Sequence, residues 1–109
     1  MTDQITDLTA LGEELLTAAR ESADGRASRV VEHGPHQRAV LMALAGGTGL
    51  GEHASPAAAT LQVLSGRARL VAGEAVWDVP AGGLVPIPPD RHGVETDEDT
   101  VILLTVALR

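Results

Sequence analysis

The sequence contains no cysteine, no lysine, no phenylalanine and no tyrosine, and its 109 residues include a single tryptophan, Trp77. Each absence removes a chemistry. Without cysteine there is no disulfide framework, zinc ribbon, iron–sulfur site or thiol nucleophile. Without lysine, Schiff-base catalysis and a P-loop lysine are excluded. One aromatic ring makes no base-stacking platform, and eight arginines against fifteen acids, a net charge of −7, leave no basic face for nucleic acid. Apolar runs such as Val101 to Leu104 fall far short of the roughly 20 residues that span a membrane as a helix. No nucleic-acid partner and no membrane partner are therefore expected. The opening MTDQITDL has neither the basic nor the apolar region of a secretion signal, so a cytoplasmic location is expected.

What is present suits one small domain with an aliphatic core. Val, Leu, Ile and Met together number 30 and Ala 17. A chain of this length buries roughly two thirds of its unfolded surface, enough for one core.

The chain divides by pattern at Gly25. In residues 1–25, Leu8, Leu11, Leu15, Leu16 and Ala19 follow the three-four spacing of one buried helical face, with Thr6 or Asp7 as cap and Asp24-Gly25 as stop. The other face carries Glu13, Glu14, Arg20 and Glu21. Such an amphipathic helix covers an open end or edge of a sheet, or packs on a partner subunit. Residues 26–109 read as a single β domain of short segments cut by Gly, Pro and Asp. The expected strands are Arg38 to Ala45, Leu50 to Ser55, Thr60 to Leu64, Arg67 to Val71, Ala75 to Val79, Leu84 to Ile87, His92 to Glu95 and Thr100 to Leu108, with His33-Gly-Pro-His36 as a loop before them. Eight short strands at this spacing suggest a sandwich or barrel. The alternating Arg67 and Arg69 most simply make one solvated strand face, with an anion site as the sharper alternative.

Four histidines, His33, His36, His53 and His92, are the groups that titrate near neutrality. Around two of them the sequence resembles the cupin family. Gly47-Thr-Gly-Leu-Gly-Glu-His53-Ala-Ser55-Pro-Ala-Ala-Ala59, continuing to Ser65-Gly66, has the spacing of the first cupin motif, and Gly83-Leu-Val-Pro-Ile-Pro-Pro-Asp-Arg-His92-Gly-Val is similar to the second. The resemblance covers about residues 38 to 107. It implies an all-β, cupin-type jelly-roll β-barrel carrying the short N-terminal amphipathic helix, a pocket inside, and a homodimer.

In metal-dependent cupins the first motif supplies two histidines and a glutamate and the second a further histidine. Here only His53 and His92 match; Ser55 stands at the second histidine position and Ala59 at the glutamate. A catalytic zinc or iron centre generally takes three protein ligands, so two histidines are one short. Strand alternation points Glu52 away from His53 and Glu95 away from His92. A third ligand would come from His33 or His36, or from Gln62 if a bulge changes its strand's parity. The expected ligand pocket contains His53, Ser55, His92, Gln62, Arg38 and Trp77, and the resemblance limits a metal position for a divalent zinc, iron, manganese or nickel ion to His53 and His92. His33 and His36 read as an exposed loop pair, and Trp77 as a core or interface anchor with ligand stacking as the alternative.

Three functions compete. One is a non-enzymatic small-molecule-binding or sensory cupin with an incomplete metal set. The second is a metal-dependent oxygenase, isomerase or lyase using His53 and His92 with a non-standard third ligand. The third is a dimeric protein-interaction module, whose partner the acidic helix would contact. The near-continuous apolar run Val101 to Leu108 suits a strand buried on both faces, consistent with sheet packing between subunits.

Overall fold

A computed structural model of the chain describes residues 5–53 and 58–108, with Glu52 and His53 described through their backbone alone. Helix α1 spans Leu8–Glu21. The Asp7 carboxylate caps it by accepting the Ala10 N–H at 3.0 Å, one of the donors a helix start leaves unpaired. The buried stripe Leu11, Leu15 and Ala19 recurs every fourth residue, as expected. The helix stops at Glu21, and a turn ending at Gly25, with φ of 71°, leads into the first strand.

Nine strands follow: β1 (Arg26–His33), β2 (Gln37–Leu44), β3 (Gly49–His53), β4 (Ala59–Ser65), β5 (Arg67–Ala72), β6 (Ala75–Pro80), β7 (Leu84–Pro86), β8 (His92–Glu95) and β9 (Thr100–Ala107). Eight overlap the expected segments. The ninth, β1, is not among the expected strands, and only its last residue, His33, falls in the expected His33–His36 loop. It is an exposed edge strand whose Arg26, Ser28, Arg29 and Glu32 face solvent, so no hydrophobic alternation marks it.

All strand pairs are antiparallel and form two sheets, β1-β2-β9-β4-β7 and β3-β8-β5-β6. The expected closed barrel is not what these ladders make: among the described residues no ladder joins the sheets, and the fold is a two-sheet sandwich. Proline explains one open seam. The neighbouring edges β6 and β7 end in Pro80 and Pro86, which have no N–H to extend a ladder.

Strand parity builds two apolar layers. Leu44, Leu61, Val63 and Ile102 of the five-stranded sheet meet Ala68, Leu70, Val79 and Val94 between the sheets. Leu41, Ala43 and Val101 point the other way and meet Leu11, Leu15 and Ala19 of α1. The helix therefore covers a sheet face rather than an end or an edge. It also explains the continuous apolar run Val101 to Leu104 in β9, with Val101 under the helix and Ile102 between the sheets.

The helix is tied to the strands at one point. Asp99, just before β9, accepts the Gly46 N–H at 2.8 Å and the Arg20 Nε–H at 2.8 Å. The fully buried Thr100 hydroxyl accepts the Arg67 N–H at 3.2 Å and donates to the Glu98 carbonyl at 2.8 Å. Gly66 sits against this hub with φ of 83°, where a Cβ would collide with the Asp99 carbonyl and Thr100. The Ser65-Gly66 turn thus requires its glycine for backbone geometry.

Candidate functional site

The ladder between β3 and β8 sets His53 directly opposite His92. The two histidines that carry both sequence motifs are thus register partners, reached after a bulge between Leu50 and His53.

His92 is 2% exposed and lies on the inter-sheet face, alternating with the outward Glu95. Its Nδ1 lies 3.0 Å from the Asp90 carbonyl within the Pro88-Pro89-Asp90 turn. A carbonyl only accepts, so Nδ1 carries the proton, and in the neutral ring Nε2 holds the lone pair. The Asp90 carbonyl thus holds the ring through its Nδ1.

Nε2's ring lines a cavity of about 220 Å³ between the sheets, whose other walls are Leu50, Ala59, Ile87, Val94, Leu104 and Val106. Ala59 matters most among these. It occupies the position where the family's glutamate would stand, and here it contributes a methyl group to an apolar wall. Among the described residues the cavity is aliphatic except at His92.

The other expected pocket residues are scattered. Arg38 is exposed on β2, opposite the cavity residue Val106 in the β2–β9 ladder. Gln62 alternates with the inward Leu61 and Val63 and is paired with Leu103, which packs against the helix layer. The β4 bulge falls after it, between Val63 and Ser65, so its parity stays outward. Trp77 is 38% exposed on the edge strand β6 and borders a separate groove with Leu84 and Val85. Ser55, and the orientation of Glu52, lie outside the described residues. His33 closes β1 and His36 lies in the following loop, both exposed.

The arginine pair on β5 is a solvated, ion-paired face. Arg67 reaches Asp78 at 3.1 Å, and Arg69 forks onto Asp97 at 2.6 and 3.1 Å and touches Glu95 at 3.4 Å. The Arg69 fork lowers the Asp97 carboxyl below its ordinary pKa, and the Gly46 N–H followed by Arg20 does the same to Asp99. All of this charge lies on the outer surfaces, away from the cavity.

Among the described residues no three His, Asp or Glu side chains gather to hold a metal. His92 presents an anchored imidazole and His53 stands opposite it, but Ala59 offers no donor and Glu95 faces Arg69. This donor set does not fit the three-ligand centre of a metal-dependent cupin. The sequence leads one to expect aliphatic walls but does not single out Leu50, Ile87, Val94, Leu104 and Val106 as the residues that form them. Their signal is strand parity, which becomes readable only once His92 and Ile102 fix which face is inward.

The sequence matches no protein-family model and no curated protein. The fold, however, is shared with solved structures. A conserved protein of unknown function from Streptococcus pyogenes superposes with a TM-score of 0.75 at 23% identity, over 98% of this chain and 89% of that one. An RmlC-like cupin from Desulfovibrio desulfuricans gives 0.68 at 26% identity, over 75% and 81% of the two chains. A salicylate 1,2-dioxygenase from Pseudaminobacter salicylatoxidans gives 0.75 at 14% identity, over 88% of this chain but 32% of that longer one. Coverage of 98% means that the alignment with the streptococcal protein takes in the α1 segment as well as the strands. Structures of this fold thus include an enzyme and a protein of unknown function.

Proposed function

The chain has the cupin fold, and from that premise we propose that it is a small-molecule-binding protein whose ligand occupies the aliphatic cavity against His92. The observation that carries this reading is Ala59. An alanine at the position of the family's glutamate replaces a metal ligand by an apolar wall, in a cavity of about 220 Å³ beside an oriented imidazole. At roughly 30 Å³ per water-sized group, the cavity holds about seven such groups, a small organic molecule. Aliphatic walls drive its burial and one fixed polar atom orients it. Hexanamide is a suitable neutral probe. Calorimetric binding and a raised melting temperature are expected for the natural sequence and are expected to vanish in Ala59→Phe, which fills the cavity. Equal binding by a folded Ala59→Phe variant would remove the cavity as the site.

A metal-binding reading draws on the register pairing of His53 with His92. Its measure is metal content after purification without chelator. The small-molecule reading expects well under one zinc, iron, manganese or nickel ion per chain and little stability lost on stripping. Stoichiometric metal, abolished by either His53→Ala or His92→Ala, would replace it with a metalloprotein.

A further inference from the structure

We infer that the ligand is a small carboxylate with an apolar body, its carboxylate held by Arg38 while the body fills the space beside His92. This inference rests on the small-molecule reading and names the chemical class it selects.

Arg38 stands opposite Val106 in the regular β2–β9 ladder, and opposed residues share a face, so Arg38 lies on the face that forms the cavity wall. Its long side chain needs no backbone change to reach a group projecting from the cavity. On its other side, Arg38 is opposite His33, whose ring adds a second donor on the same face.

The charge pattern singles out this arginine. Arg20, Arg26, Arg67 and Arg69 each hold a carboxylate of the chain: Asp99, Asp24, Asp78 and Asp97. Among the described residues Arg38 holds none. A guanidinium left without a carboxylate partner, beside a cavity whose described lining carries no acid, is arranged to take one from outside, and its planar fork matches a carboxylate. The chain's net charge of −7 repels anions in general, so any preference for a carboxylate must arise locally. Arg29 provides an internal comparison. It also has no carboxylate partner among the described residues, but its register partner Leu41 packs under the helix, so it lies on the opposite face of the sheet.

The test is calorimetric titration of the full chain with hexanoate and with hexanamide, which differ little in shape but by one charge. Hexanoate is expected to bind about tenfold more tightly at low salt, an advantage that shrinks as ionic strength rises. Arg38→Gln is expected to erase the difference by weakening hexanoate alone, and Arg29→Gln to leave it intact. Equal binding of the two probes by the natural sequence, or an equal loss in Arg29→Gln, would overturn the carboxylate inference while leaving the cavity reading standing. Failure of both probes to bind would overturn both.

Discussion

The two ends of the inter-sheet space are built from the same strands yet behave oppositely. At one end β4 and β9 contribute Val63 and Ile102, both fully buried, against Ala68 and Leu70. At the other end the same two strands contribute Ala59, Leu104 and Val106, only half-buried, around a cavity. Backbone geometry is continuous between them, since the β4–β9 ladder runs without a register shift from Val63↔Ile102 to Ala59↔Val106. Side-chain volume makes the difference: the closed end is filled and clamped by Asp99, Thr100 and Gly66, whereas the open end carries an alanine and a histidine. A stable core and a binding cavity can thus share one pair of strands.

Truncation should separate the two ends most sharply. Ile102→Ala is expected to cost about 2–5 kcal/mol in urea unfolding, because a fully buried side chain leaves an unfilled void. Val106→Ala, beside an existing cavity, is expected to cost less than about 1 kcal/mol. Similar losses at both positions would show that the open end is packed as tightly as the closed one.

Next in size is Gly66→Ala. The left-handed backbone and the close approach of the Asp99 carbonyl and Thr100 predict about 2 kcal/mol of destabilisation by the same measurement. A neutral result would mean that the turn relaxes and that the hub is not rigid.

Filling the open end should instead leave stability nearly unchanged. Ala59→Leu adds apolar volume where there is space, so a change within about 1 kcal/mol is expected together with loss of hexanamide binding. Retained binding would dissociate the cavity from the site.

The smallest effect concerns acid. Asp97 and Asp99 have folded-state pKa values below the ordinary 3.8, so each contributes stability that is present above pH 3.8 and is lost as pH falls through its lowered folded value. Asp99→Asn should therefore reduce stability near neutrality and flatten the acid limb of a stability–pH curve. It should leave hexanamide affinity untouched, since Asp99 belongs to the clamped end.

Legibility in the sequence follows the same division. The helix and eight strands were visible because each has a strong period, and the Gly47, His53 and Gly66 spacing located the first motif. Strand β1 was not, since an exposed edge strand such as Arg-Ala-Ser-Arg-Val-Val-Glu-His needs no alternation. Of the expected pocket residues, His92 is buried beside the cavity and Arg38 is the exposed register partner of the cavity residue Val106, whereas Gln62 and Trp77 lie elsewhere. Their placement depends on where a bulge falls and which strand becomes an edge, and both are properties of pairing rather than of local sequence. Likewise, an apolar run on β9 shows burial on both faces without telling whether a helix or another subunit provides the cover.

The most direct test of the division is a methyl-resolved NMR titration of the full chain with hexanamide. Shifts confined to Leu50, Ile87, Val94, Leu104 and Val106, with Leu61, Val63 and Ile102 unmoved, are the expected result. Shifts spread evenly over both groups, or none at saturating hexanamide, would contradict the assignment of the open end as a ligand cavity.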